Sequence, residues 1–347
     1  MRLLIAGGGT GGHLFPALAV ARALRAEEPT SDVLLVGRAG GPEERVVPEA
    51  GFELVTIKVQ GLDRDAWWKN LALPAVLPAA LRAGLRIVDR FKPDVVLGMG
   101  GYVMAPAVAA ARMRGIPYVL HEKDVRPGLA TRMFAGGAAA ICTTLPGTEK
   151  RLGARRIVVT GVPLRPGFEP RTPAVPPRTL LVTGGSQGAR NLNNAVWGAL
   201  DDLARMYEHV IHVAGRQGAH GVAEHMRERY EGMAFSDDMP ALTARADLIV
   251  GRAGVGTIAE ATAVGLPMVL VPGTFGGGHQ EDNAAAMVKS GAAVRIADDE
   301  LTPKTLVSTL DNLTSAQLRA MAQASSAAGR RDAAQRVLEV VREVAHR

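Results

Sequence analysis

Residues 5–24, "IAGGGTGGHLFPALAVARAL", set five glycines directly before His13. Gly7, Gly9 and Gly12 satisfy G-x-G-x-x-G between an apolar run and a helical pattern. In that context glycine lets the backbone come close to a phosphate, and the helix N-terminus offers free N–H groups and positive dipole. Three uses stay open for this loop alone: a dinucleotide fingerprint, another phosphate cradle, or a tight turn. A dinucleotide fold usually ends its second strand in an acid for the ribose. Here "VGRAG" places Arg38 there, which would suit only NADP. No Lys-Ser/Thr follows the glycines, so the loop is not a P-loop. His13, at the start of a helix, is either a proton-transfer group or a cap histidine without chemistry.

Three more glycine turns follow strands: "GMGGYVMAPA" at 98–107, Gly184-Gly185-Ser186-Gln187-Gly188, and "GRAGVGT" at 251–257 with Glu260 just beyond. Open α/β sheets bind ligands at the C-terminal ends of their strands, so four such turns point at one crevice. Asp63-Arg64-Asp65 is a D-x-D, the pattern that holds a metal with a diphosphate in some transferases. It stands in a polar loop, "QGLDRDAWWKN", away from any strand end, and reads as solvated.

The elements that must carry these turns are short apolar runs alternating with helical spacing. Strands are expected at 3–6, 33–37, 54–59, 94–98, 118–121, 139–143 and 157–161, then at 179–185, 209–215, 233–236, 247–251, 268–273 and 292–296. Continuous apolar strands between helices imply parallel sheets buried on both faces. Residues 162–178, "VPLRPGFEPRTPAVPPR", cannot continue a helix and read as a linker. Beyond it "LLVTGGSQGARNLNNAV" echoes "LLIAGGGTGGHLFPALAV", which implies two Rossmann-like domains, 1–162 and 163–329. The tail at about 330–347 is amphipathic, with Val337, Leu338, Val341 and Val344 on one face, and is expected to pack back on the first domain.

The 347 residues are 47% apolar and 21% charged, as in globular proteins, and long enough for two cores. The single cysteine, Cys142, excludes an intrachain disulfide and suits a reducing compartment as a buried thiol. The apolar start "MRLLIAGGG" is too short for a signal peptide. No run approaches the roughly 18–20 apolar residues of a membrane span. A formal charge of +6 favours anionic partners. Nucleic acid is a poor fit, because aromatics are only 4% and stacking positions are scarce.

Taken together, "GGGTGGHLFPALAVA", "GMGGYV", "HEKDVRPGLA", "GVPLR", "GGSQGAR", "RAGVGTIAEATAVGLPMVLVP" and "HQEDNA" resemble the MurG family of bacterial cell-wall N-acetylglucosaminyltransferases, across nearly the whole chain. The resemblance implies a two-domain GT-B fold and inverting transfer of N-acetylglucosamine from UDP-GlcNAc to the muramyl 4-hydroxyl of undecaprenyl-pyrophosphoryl-MurNAc-pentapeptide. It implies no tightly bound cofactor, and allows a divalent cation without calling for one. By the same resemblance, Thr10, Gly11 and Gly12 touch the donor and His13 is the candidate base. The loop at Gly100, Gly101 and Tyr102, with His121 and Glu122, belongs to the acceptor side. Asp124 stands where the family's "HEQN" has a sugar-contacting asparagine, and an ionised acid can accept but not donate. Arg165, Gly185, Ser186 and Gln187 are expected on the diphosphate, and the Ser236 backbone on uracil. Val255, Gly256, Thr257, Ile258, Ala259 and Glu260 line the nucleoside pocket, with Glu260 on the ribose. Gln280 is expected on sugar hydroxyls. The acid that often precedes it is replaced by "FGGGH", where His279 compensates or is a solvent-exposed loop histidine.

Residues 65–92 combine Trp67, Trp68, Lys69, Leu71 and Leu73 with Arg82 and Arg86, and Pro74 and Pro78 break any long helix. Tryptophan favours the headgroup interface and arginine an anionic surface, so this is a candidate peripheral patch on the cytoplasmic face of the membrane. The other reading is a core helix with a basic outer face. A UDP-sugar 2-epimerase keeps the same fold and needs no acceptor. A non-catalytic UDP-sugar module leaves His13 without a purpose, and an NADP enzyme accounts for the first glycine loop only.

Overall fold

A computed structural model describes residues 1–9, 11–60, 73–145, 148, 152–153, 156–226, 228–274 and 278–346, with the side chains of 73–75 outside the description. The chain divides into two units, Met1–Arg165 with Asp332–Arg347, and Pro166–Arg331.

The first unit holds strands β1 (Arg2–Ala6), β2 (Asp32–Arg38), β3 (Glu53–Ile57), β4 (Val95–Gly98), β5 (Tyr118–Glu122), β6 (Ala140–Thr143) and β7 (Ile157–Val159). Helices α1 (Gly11–Glu27), α2 (Glu43–Glu49), α3 (Leu73–Phe91), α4 (Ala105–Met113) and α5 (Leu129–Ala135) lie between them in sequence. The sheet order is β3-β2-β1-β4-β5-β6-β7, and every pairing is parallel. Leu3, Leu4, Ile5 and Ala6 are all buried, as a central strand covered on both faces requires. One face is covered by Leu14, Ala17, Leu18, Ala21 and Leu24 of α1, spaced at helical intervals.

The second unit holds β8 (Thr179–Thr183), β9 (His209–Val213), β10 (Tyr230–Met233), β11 (Leu248–Gly251), β12 (Met268–Leu270) and β13 (Ala293–Arg295), in the order β10-β9-β8-β11-β12-β13. These pairings are also parallel. Its helices are α6 (Arg190–Gly198), α7 (Leu200–Met206), α8 (Ala219–Glu224), α9 (Met239–Arg245), α10 (Val255–Val264), α11 (His279–Lys289), α12 (Pro303–Asp311) and α13 (Ser315–Ala328). A last helix, α14 (Ala333–Ala345), returns to the first unit, where Val337, Leu338, Val340, Val341 and Val344 complete the core under α1.

The expected strands are present with one displacement. "MAFS" at 233–236 is not the strand; β10 begins three residues earlier, at Tyr230. It is an edge strand, and pairing decides its place: Tyr230 sits opposite Val210, and the register ends at Met233 opposite Val213. Each sheet reverses its strand order once, between β1 and β4 and between β8 and β11. Those two reversals are where an open α/β sheet offers room for a ligand.

Candidate active site

In the first unit, the turns after β1 and β4 meet at the reversal. His13 stands in the first turn of α1, and its Nδ1 lies 2.8 Å from the Met99 carbonyl. A carbonyl only accepts, so Nδ1 carries the proton and Nε2 keeps its lone pair. The ring rests on Gly100 and Gly101, both at positive φ; a Cβ at Gly100 would stand 2.9 Å from His13 Cε1. Desolvation brings the His13 pKa down to about 4, with the Lys123 charge adding to the effect, so the imidazole is neutral at pH 7. Gly11 and Gly12 open α1 beside it, and Thr10 lies outside the described residues.

Glu43, the first residue of α2, is buried against this loop and accepts a hydrogen bond from the Gly9 N–H. Its side chain fills the space that Cβ atoms at Gly8, Gly37 and Gly41 would need. The loop thus carries a carboxylate of the chain itself where a dinucleotide phosphate would be expected. Arg38 donates to the Tyr102 hydroxyl at 3.3 Å instead of facing a ribose site.

His121 and Glu122 organise the loops beyond β5. The buried His121 donates from Nε2 to the Gly161 carbonyl at 3.0 Å, and burial brings its pKa to about 4. That bond holds the segment leading to Arg165, whose guanidinium lies 5.3 Å from the centre of the Phe15 ring. Glu122 accepts from the Asp124 and Gly128 N–H groups at 3.1 and 3.0 Å, and burial raises its pKa. Asp124 pairs with Lys123 at 2.9 Å, so its charge is partly balanced by its own neighbour.

In the second unit, the turns after β8 and β11 occupy the other reversal. Gly185 is half-buried, while Ser186 and Gln187 are exposed ahead of α6, whose first turn has no side-chain cap. Such an N-terminus presents N–H groups to an anion. α10 likewise starts without a side-chain cap, and its first turns carry Val255 to Glu260. Behind it, buried Asn283 donates to the Ala253 carbonyl at 3.2 Å, and Arg252 pairs with Asp298 at 2.5 Å. Gln280 accepts from the Gly273 N–H at 2.8 Å, which leaves its amide N–H groups as the side able to meet sugar hydroxyls. The Ser236 Oγ accepts from the Asp238 N–H at 3.1 Å in the turn that starts α9.

Sequence reading gave no role to Glu43, Asn193, His212 or Asn283. Charge and amide groups are ordinary near helix starts, where Glu43, Asn193 and Asn283 stand, and His212 lies inside an apolar strand run; only the fold shows these four buried. Among the described residues no three His, Cys, Asp or Glu side chains group as metal ligands. Asp63 and Asp65 lie outside the description, as do Trp67, Trp68, Lys69, Leu71 and the Leu73 side chain. Arg82 and Arg86 are exposed on α3, near the exposed Leu77 in sequence. Among the described residues no helix is long and apolar enough to cross a membrane.

The glycosyltransferase family 28 N-terminal domain matches residues 3–143, and the C-terminal domain of the same family matches residues 179–337. A UDP-N-acetylglucosamine–N-acetylmuramyl-(pentapeptide) pyrophosphoryl-undecaprenol N-acetylglucosamine transferase of Nocardioides sp. is 40% identical over 367 residues, spanning 99% of this chain and 98% of the relative. The crystal structure of MurG from Acinetobacter baumannii aligns with a TM-score of 0.81 at 28% identity, over 99% of both chains. A UDP-GlcNAc 2-epimerase from Neisseria meningitidis, bound to UDP-GlcNAc, reaches a TM-score of 0.69 at 13% identity over 99% of this chain and 100% of its own, a likeness of fold alone.

Proposed function

This chain belongs to glycosyltransferase family 28, and within it to the MurG family, and from that premise we propose how its residues divide the reaction. It is a GT-B glycosyltransferase that transfers N-acetylglucosamine from UDP-GlcNAc to the undecaprenyl-linked muramyl pentapeptide, forming lipid II.

The observation that carries the division of roles is the His13 tautomer. With Nδ1–H held by the Met99 carbonyl, Nε2 is a neutral lone pair at the start of α1. In our reading Nε2 takes the proton of the muramyl 4-hydroxyl as that oxygen attacks the anomeric carbon. The C–O bond to the diphosphate breaks, the configuration inverts, and UDP leaves with the bonding pair. Gly185, Ser186 and Gln187, ahead of the open N-terminus of α6, take the growing diphosphate charge together with Arg165. Glu260 accepts from the ribose hydroxyls, the Ser236 backbone reads uracil, and Val255 to Ala259 line the nucleoside. Gln280 donates to the sugar. Thr10, Gly11, Gly12 and Asp124 complete the donor contacts, and Gly100, Gly101 and Tyr102 the acceptor side. His121 and Glu122 act there by holding loops. No residue role in this scheme calls for a tightly bound cofactor.

The acceptor is lipid-linked, so the protein works as a peripheral protein on the cytoplasmic face of the membrane. Trp67, Trp68, Lys69, Leu71 and Leu73 would form the contact with Arg82 and Arg86, each basic residue adding about 1 kcal/mol at an anionic surface.

The test is His13→Ala, assayed with UDP-GlcNAc and lipid-linked acceptor. The expected result is a kcat reduced roughly 10²–10⁴-fold with UDP affinity unchanged. Unaltered turnover refutes the base assignment. UDP release without acceptor would favour epimerase chemistry on this fold.

A further inference from the structure

The second unit contains a buried hydrogen-bonded chain that the reaction scheme does not use. Trp197 and Asn193 lie on α6, His212 on β9 and Tyr230 on β10. Asn193, His212 and Tyr230 are all buried. Every bond in the chain has a forced direction. Asn193 Nδ2 lies 2.8 Å from the Ala214 carbonyl, which can only accept, so the amide is oriented with Oδ1 toward His212. Oδ1 also only accepts, so His212 Nε2, at 3.1 Å, carries the proton. Burial brings the His212 pKa down to about 4, and the neutral ring therefore presents a lone pair at Nδ1. The Tyr230 hydroxyl donates to it at 2.9 Å and accepts from Trp197 Nε1–H at 3.0 Å. Polarity runs one way, from the indole N–H to the carbonyl of Ala214.

That carbonyl supports the third glycine loop. Gly215 follows it at φ +79° and lies so close to Gly188 that neither position has room for a Cβ. The Arg216 N–H donates to the Ser186 carbonyl and the Gln217 N–H to the Gln187 carbonyl, both at 3.3 Å. The turn after β9 is therefore the floor under residues 186–188, and Asn193 pins that floor to α6.

We propose that Asn193, oriented by His212, is a positioning residue for the donor diphosphate: it sets the height of the Gly185–Gly188 backbone through the Ala214 carbonyl. The proposal rests on the reading that this loop takes the diphosphate of UDP. It predicts that the two ends of the chain differ. Breaking the Asn193 end moves the loop, whereas breaking the Trp197–Tyr230 end loosens the interior and leaves the loop in place.

The experiment measures UDP binding to the full chain by calorimetry, beside thermal unfolding. Asn193→Ala should bind UDP about tenfold more weakly, or about 1.4 kcal/mol. Asn193→Asp, which keeps the acceptor for His212 but cannot donate to Ala214, should do the same if the alanine variant fails to fold. Tyr230→Phe should lower the melting temperature yet bind UDP within twofold of wild type. Equal UDP affinity in wild type, Asn193→Ala and Asn193→Asp overturns the proposal, as does an equal loss in Tyr230→Phe. Nitrogen-15 spectra of the wild-type histidines supply a second test that needs no variant: His212 should be the Nε2–H tautomer at pH 7, and an Nδ1–H ring overturns the chain. Absence of UDP binding in the wild type is a different failure, of the donor assignment itself.

Discussion

Replacing Gly100 by alanine tests whether the placement of His13 governs turnover. Gly100 has φ +90°, and an L-residue in left-handed backbone costs roughly 1–2 kcal/mol. The new Cβ would stand 2.9 Å from Cε1 and 3.1 Å from Nδ1 of His13. Carbon contacts settle near 3.5 Å, so the ring must retreat by roughly half an ångström. The retreat lengthens the 2.8 Å bond to Met99, which contributes about 0.5–1.5 kcal/mol, and carries Nε2 off line. A 1 Å misplacement can lower a rate by about 10²-fold, so about a tenfold drop in kcat is expected here. Loss of stability should be about 2 kcal/mol by urea unfolding. In the proposed scheme neither Gly100 nor His13 contacts UDP, so UDP affinity should not change. The assay is labelled lipid product at saturating UDP-GlcNAc, with calorimetry for UDP. Gly115→Ala is the matched control: φ is +69°, but nothing lies within 4 Å of its Cβ. It should carry the backbone strain without the kinetic effect. A Gly100→Ala kcat within twofold of wild type, or an equal kinetic loss in Gly115→Ala, refutes the reasoning.

Glu43→Ala should leave the part-buried Gly9 N–H without its acceptor, destabilise the first unit by about 1–3 kcal/mol and lower turnover, with added formate but not chloride restoring part of both. Leu338→Ala, under α1, should lower the urea-derived stability by about 2–5 kcal/mol while UDP binding persists. Acid should destabilise the fold from about pH 6.5 downward. His121 and His212 have pKa values of about 4 in the folded chain, against an ordinary value near 6.5. Between those values the unfolded chain binds protons that the folded chain refuses. Their contribution is therefore complete above about pH 6.5 and declines toward pH 4, by about 1.4 kcal/mol per unit for each ring. Urea unfolding at pH 7.5, 5.5 and 4.5 should show the decline, and a flat profile would contradict it.

The parallel sheets were legible because short, buried apolar runs such as 3–6 and 180–182 recur between longer segments with helical spacing. β10 was misplaced because an edge strand needs no such run: Glu231 and Gly232 belong to it on the strength of pairing with β9. The glycine turns were legible as a set at strand ends, but which of them share a strand-order reversal depends on topology, which spacing does not encode. Glu43 was hidden for a related reason. In sequence it is one acid of an "EE" pair at a helix start, where solvation is the ordinary outcome; in the fold, Gly8 from the loop after β1 joins Gly37 and Gly41 from the end of β2 and the turn beyond it to make its slot. Asn193 and His212 were hidden inside runs that read simply as helix and strand.

The return of α14 to the first unit reverses the order of assembly. Domains generally fold as units while the chain is synthesised, the N-terminal one first. Here the first unit lacks part of its core until late, because Val337, Leu338, Val340, Val341 and Val344 belong to it and follow the whole second unit in the chain. The second unit has all its residues once Arg331 has emerged. At the usual speed of translation, Leu14, Leu18 and their neighbours on α1 wait roughly ten to forty seconds for their cover after Arg165 is made. During that interval the aliphatic side chains of α1 lack the cover that α14 gives them in the finished protein.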